Sequence, residues 1–256
     1  MSEQVESIGT LLAAPHNYDT SVESSGPLVS VVVPTLNEES VLAATLESVR
    51  SQDIAHEIIV VDAGSWDRTQ EIAQDYGCHL LISRPGRGRQ LHLGAEASKA
   101  ETLLFLHADT RLPPGALTAV HRAMKNTALS GGKFRLRFDS EHPVLRLASF
   151  MTQFKGSWCS FGDQGIFVRR AAYKAAGGFE DIPLFEDVRF LHRLQRQGAL
   201  SVLPHAVMSS ARRFRERGVV RQYLTNGALL LAHRFGVNPR RLAAFYDRWY
   251  VHEPLR

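Results

Sequence analysis

Only two cysteines occur in 256 residues, Cys78 and Cys159, far apart and without C-x-x-C spacing. That excludes a disulfide framework and a thiolate zinc site, and it fits a reducing cytoplasm. No apolar run is long enough to span a bilayer. The first 27 residues lack a basic stretch followed by an apolar core, so they read as a loose N-terminal tail and not as a secretory signal. No G-x-G-x-x-G follows the first apolar run, and neither G-x-x-x-x-G-K-[ST] nor G-x-S-x-G occurs. Dinucleotide, P-loop and serine-elbow chemistries therefore lack their sequence marks. Neither sign of charge dominates: 30 Lys and Arg against 26 Asp and Glu leave +4. So mild an excess suits phosphate-bearing ligands or an anionic membrane face, and no nucleic-acid partner is expected.

What is present is an ordinary globular composition, 44% hydrophobic and 22% charged, enough for one large α/β domain. Leu28 to Val33 is a β-branched run closed by Pro34, a buried first strand. Asn37 and Glu38 open a helix whose apolar positions Val41, Leu42, Leu46 and Val49 share one face. Strands are expected at Glu57–Val61, Cys78–Ile82 and from Thr102, with helices to about Tyr76, Lys99 and Asn126, the last starting at Pro113-Pro114. Four strands separated by three helices form a βαβ series, which builds a mostly parallel central sheet flanked by helices.

The second half is less regular. It reads as strands at Gly132–Phe138, Gln164–Val168, Leu200–Leu203 and Ala206–Ser209, and helices at Pro143–Phe154, Arg170–Ala176 and Glu186–Gln197. C-terminal helices follow at 217–235 and 239–249. The expected division is a tail (1–27), a domain (28–215, halves 28–127 and 128–215) and a C-terminal helical segment (216–256). The second half should cover the sheet's carboxyl edge and supply the acceptor side.

Ligands of open α/β sheets lie at the carboxyl ends of the strands. The Thr102 strand ends in His107-Ala108-Asp109-Thr110. A divalent cation on a diphosphate needs only one or two carboxylates, because phosphates and water fill the remaining positions. Asp109 suits that role, His107 is a second candidate ligand, and either residue would also serve in a turn or cap. Asp62-Ala-Gly64-Ser65-Trp-Asp67 ends the second strand, where Asp62 can accept from a base N–H and Gly64 permits close backbone approach; the same residues make a good turn. Glu186 and Asp187 open a helix, where they complement its dipole or act as a general base. Arg84, Arg87 and Arg89, interleaved with Gly86 and Gly88 and followed by Gln90, suggest a phosphate cradle; Arg212 and Arg213 add guanidinium forks.

The series Val31-Val-Val-Pro34-Thr35-Leu-Asn37-Glu38, Val60-Val-Asp62-Ala-Gly64-Ser65, Leu106-His107-Ala108-Asp109 and Phe185-Glu186-Asp187 resembles the family 2 glycosyltransferases, which share the GT-A fold. The resemblance covers roughly residues 28 to 215. Gly162–Arg170, Gly177-Gly-Phe179 and Ser210–Arg213 look like a bacterial subgroup sometimes linked to arsenosugar biosynthesis.

What this resemblance implies is an inverting glycosyltransferase that moves a sugar from a nucleoside-diphosphate sugar, usually of uridine, with Mg2+ or Mn2+ on the diphosphate. Pro34, Thr35, Asn37 and Glu38 would line the nucleotide pocket, and Asp62 would meet the base. Asp109 matches the last acid of the family's metal motif, with His107 where an aspartate is usual. Asp187 matches the catalytic base, with Glu186 beside it. Arg212 and Arg213 stand where diphosphate contacts are placed, although the family's Gln and Trp are missing there. Trp158, Gly162, Asp163 and Gln164 fall on the acceptor side. Rival expectations are a nucleotidyltransferase, which would need a basic residue in Pro34–Glu38, and a nucleotide-sugar-binding module without catalysis. The acceptor would be a small molecule or lipid-linked. Arg212–Arg221 with Val219, Val220, Leu224, Leu229 and Leu230 would offer a peripheral membrane contact, or else the C-terminal helix packs on the domain, with a homodimer as a further option.

Overall fold

The computed structural model describes residues 26–154 and 162–250, side chains of 247–250 excepted. The tail to residue 25 and Trp158 lie outside the described residues. In chain order the elements are β1 (Val29–Thr35), α1 (Leu42–Arg50), β2 (His56–Asp62), α2 (Thr69–Asp75), β3 (His79–Ile82), α3 (Arg87–Ala97), β4 (Thr102–Phe105), β5 (Thr110–Arg111) and α4 (Ala116–Met124). There follow β6 (Leu129–Phe138), α5 (Pro143–Met151), β7 (Ile166–Arg169), α6 (Arg170–Ala175), α7 (Glu186–Leu194), β8 (Ala199–Ser209), α8 (Arg212–Arg217), α9 (Val219–Arg234) and α10 (Pro239–Tyr250).

One mixed sheet runs β3-β2-β1-β4-β7-β6-β8-β5. The four βαβ strands are parallel, β7 is antiparallel to both β4 and β6, β8 is parallel to β6, and β5 is antiparallel to β8. β1 is buried along its whole length because helices cover both faces. Val29, Val31 and Val33 pack with Leu46 of α1 and Leu117 of α4, whereas Val32 packs on the other side with Leu91 of α3 and Phe190 of α7. Each such side chain contributes about 1.5–3 kcal/mol of burial.

The sheet must curl. On a flat sheet β5 would stand four strand spacings from β4, about 19 Å. The five residue steps from Phe105 to Thr110 reach at most about 18 Å fully extended, with no length left for a turn. The far strands therefore bend over the carboxyl ends of β1 and β4, as contacts from Arg212 to Ser40 and Glu38 show.

Several expectations shift. α1 begins at Leu42, not at Asn37, because Asn37 adopts a positive φ of 53° and sends its backbone N–H to Ser65. The two short strands at 200–209 are one strand, β8, with a register irregularity where Phe134 pairs Leu203 and Arg135 pairs Ala206. Gln164 belongs to a 3-10 turn, Gly162–Gln164, ahead of β7. Of the glycine–arginine stretch, Arg84–Gly86 is a loop and Arg87–Gln90 already forms the first turn of α3. β5 and α8 were not anticipated. On α9, Leu229 is buried and Leu230 half-buried, so neither belongs to an outward apolar face, while Val220 and Leu224 are exposed.

Gln90, expected to touch the nucleotide, instead ties the sheet together. Its buried amide donates to the carbonyls of Thr35 (2.9 Å) and Val61 (2.8 Å), joining the ends of β1 and β2. Gln90→Ala leaves two acceptors without their donor and is expected to cost about 2 kcal/mol, read as a lower urea midpoint at unchanged m.

Candidate active site

The site gathers at the carboxyl ends of β1, β2 and β4, closed by the start of α7 and the curled ends of β6 and β8. Backbone bonds fix Asp109: Leu106 N–H donates to Val32 O, Thr45 Oγ1 donates to Ala108 O at 2.7 Å, and Ser210 N–H donates to Asp109 O at 3.1 Å. Among the described residues its carboxylate receives only a long contact, 3.4 Å, from Thr110 Oγ1.

Asp163 shows which carboxylates lie together. Burial, then the charges of Asp187 and Asp109, push its pKa up to about 7. Three acids from distant parts of the chain thus act on one another. Oδ1 of Asp163 and Oε2 of Glu186 are buried without a hydrogen-bond partner among the described residues. Arg87 opposes this crowd. Burial alone would lower its pKa, yet the charges of Glu186 and Asp187, with the Glu186 hydrogen bond and Asp163, raise it. Glu186, 1% exposed, forms an ion pair with Arg87; burial raises its pKa against the pull of that guanidinium. Glu186 is thus paired with Arg87 through one oxygen, which distinguishes it from Asp187 beside it. His107 faces Arg87 and Arg213; burial and those two charges hold its imidazole well below the usual pKa, hence neutral.

The nucleotide-side residues serve largely to shape loops. Asp62 is fully buried, and its oxygens accept from Thr35 Oγ1, Gly64 N, Ser65 N, Ser65 Oγ and Gln70 Nε2. Five donors saturate it, so the direct contact with a base expected of Asp62 is not open in this arrangement. Asn37 Oδ1 accepts from Trp66 N. Pro34 and Thr35 are buried at the end of β1. Glu38 receives Arg212 Nη2 at 2.7 Å and Arg213 Nη2 at 2.9 Å, so both arginines arrive at the cleft already paired.

Within the stretch 84–90, where a phosphate cradle was expected, Gly88 and Arg89 are taken up by contacts with the 180–187 segment. A Cβ on Gly88 would lie 2.0 Å from Glu180 O, so this glycine exists for close packing of α3 against the 180–187 segment. Arg89 pairs with Asp181 and Arg84 is exposed. Two features escaped the sequence reading. Arg87 was one arginine among several, and only its partner 99 residues away distinguishes it. Phe185, left-handed at φ 66° just before Glu186, stacks on His233 of α9 with ring centres 4.7 Å apart.

Among the described residues no cluster of three or more His, Cys, Asp or Glu side chains is set to hold a metal. A cation borne on a diphosphate still fits, since it takes one carboxylate, here Asp109, and the unpartnered Asp163 oxygen marks a site short of positive charge.

Asp163 also sets a pH dependence. Its carboxyl ordinarily titrates near 3.8 and here at about 7, so the folded chain holds an extra proton between those values. Stability conferred by that proton is complete below about pH 4 and is lost as pH rises through 7. Asp163→Asn removes the penalty. Its melting temperature is expected to match that of the wild type below about pH 4 and to exceed it by a margin that grows from pH 5 to pH 7, by differential scanning calorimetry.

A family model described as glycosyl transferase family 2 matches residues 30–170. A beta-monoglucosyldiacylglycerol synthase of Nostoc sp. is 22% identical over 91% of this chain, which spans 57% of that synthase. Among solved structures, S. aureus TarS 1-349 in complex with UDP-GlcNAc superposes with a TM-score of 0.58 at 20% identity, over 71% of this chain and 58% of TarS. The mannosyltransferase PcManGT of Pyrobaculum calidifontis, in complex with GDP-Man and Mn2+, gives 0.57 at 19% identity, over 88% and 71%. These likenesses agree in fold with the curled mixed sheet described above. With a family model over more than half its length, the chain belongs to glycosyl transferase family 2.

Proposed function

We propose that the protein transfers a sugar from a uridine-diphosphate donor to an acceptor hydroxyl with inversion, working in a reducing compartment. The observation that carries this reading is the meeting of Asp109, Asp187 and Arg87 at Asp163, near the carboxyl ends of the sheet. Asp187 takes the proton of the acceptor hydroxyl as its oxygen attacks the anomeric carbon. The bond to the diphosphate breaks on the opposite face, so the configuration inverts. Arg87 and Arg213, with neutral His107 between their fields, face the departing diphosphate and favour its negative charge. A divalent cation, Mn2+ or Mg2+, when bound at Asp109 would neutralise the leaving group further. Mn2+ in PcManGT supports a cation of this class.

Buried Asp62 contributes by holding the 62–67 loop in shape, and the exposed Trp66 beside it offers a flat apolar surface toward the nucleoside side. The acceptor is read as small or lipid-linked. The diacylglycerol named for the Nostoc relative supports the lipid form, although this chain covers little more than half of that protein. Segments 162–170 and 210–213, which resemble the arsenosugar-linked subgroup, name no acceptor.

UDP with Mn2+ should raise the melting temperature of the wild type, and Asp109→Ala should abolish the Mn2+-dependent part of that rise. Asp187→Asn should keep the UDP shift yet lose at least about a hundredfold in UDP release from a UDP-sugar, in line with removal of a general base. Near wild-type release by Asp187→Asn would remove the base assignment.

A further inference from the structure

A second basic feature lies outside the carboxylate cluster. Between β6, α5 and β8 runs an open groove of about 640 Å³. Volumes of this order are typical of small-ligand sites. Arg135 and Arg137 occupy alternate positions of β6, hence one face, and Arg146 of α5 looks into the same space. Phe138, Phe150 and Met208 form an apolar wall beside them.

The charge of this groove is not compensated from within. Neither Arg135 nor Arg137 meets an acid among the described residues. Asp139, which follows Phe138 in the chain, is occupied by Ala211 N–H at 2.6 Å and by Arg215. Glu141 reaches only Arg146, at 4.0 Å, with both side chains largely exposed, so that pair is weak. Two guanidiniums two residues apart on a strand face repel each other unless an anion lies between them.

The groove also points toward the cleft. Arg137 pairs with Met208 and Met208 with Arg111, so β6, β8 and β5 are in register there. Arg137 thus stands two strand spacings, about 10 Å, from the strand that begins immediately after Asp109. A ligand seated on Arg135 and Arg137 would have its far end near the carboxylates.

We infer that the Arg135–Arg137–Arg146 groove binds the phosphate of a phosphate-bearing ligand, with the Phe138–Phe150–Met208 wall taking adjoining hydrocarbon. Naming that ligand as the acceptor rests on the sugar-transfer reading; the anion site itself does not. The phosphate has two sources of the same chemistry, a soluble phosphate ester or a lipid headgroup.

The test uses the full chain without nucleotide, so that loss of the transfer reading, seen as no UDP binding, leaves it standing. Glycerol phosphate is titrated calorimetrically in one arm. In the other, sedimentation is measured with phosphatidylcholine vesicles with and without phosphatidic acid. The wild type is expected to bind in at least one arm, and that arm identifies the source. R135A/R137A is expected to bind about tenfold more weakly, with R135K/R137K recovering most of the loss because charge is kept. Should the double alanine variant fail to melt cooperatively, R137A is read in its place with a severalfold loss expected. Absence of wild-type binding in both arms, or equal binding by a folded alanine variant, would overturn the site.

Discussion

Crowding of carboxylates around one guanidinium is the constraint on which this structure turns. Asp109, Asp163 and the adjacent pair Glu186-Asp187 come from three separate stretches, and Arg87 answers three of these four acids from the first turn of α3. Buried ion pairs add little net stability, because desolvation of both partners offsets their attraction, and a hydrophobic pair would hold α3 to α7 as well. The Arg87–Glu186 pair therefore makes sense as a device that sets charge. It fixes one cation in place and leaves Asp163 with its pKa near 7, so the cleft as a whole is short of positive charge. A ligand bringing a cation, or a site gaining a proton, relieves that shortage.

Other buried acids in the same region do the opposite work. Asp62 and Glu38 are surrounded by donors and shape the loops that border the cleft. Asp109 differs from them in having a carboxylate nearly without partners among the described residues, while bonds at Leu106, Ala108 and its own carbonyl pin the strand end that carries it. Rigid placement with an open functional group is what a ligand-binding acid requires, and saturation is what a scaffolding acid requires. The two classes are told apart by counting donors, which the sequence does not reveal.

That difference explains what was legible. β1, β2 and β4 were readable because both faces are covered, giving unbroken apolar runs such as Val31-Val32-Val33. Asp109 and Asp187 were readable as carboxylates at a strand end and a helix start, in an order that resembled a known family. Gln90 and Gly88 were misread because their partners, the carbonyls of Thr35, Val61 and Glu180, lie between 29 and 92 residues away. Gly-Arg-Gly-Arg is locally indistinguishable from a phosphate loop. β8 was read as two strands because Pro204 interrupts its pattern, and the irregularity that accommodates it depends on β6.

The matched family region ends at residue 170, yet the site is not complete there. Asp187 follows Phe185, whose left-handed backbone costs roughly 1–3 kcal/mol for a residue with a side chain. Such strain persists only where surrounding contacts hold it, and the stack of His233 on the Phe185 ring is one such contact. Arg212 and Arg213 of α8, fastened to Glu38, close the opposite side of the cleft. Burial and the charge of Arg189 keep His233 below its usual pKa, so the stacking ring is neutral. The C-terminal helices thus help to hold Phe185, two residues ahead of Asp187, whereas residues 30–170 contain Asp109 but not Asp187.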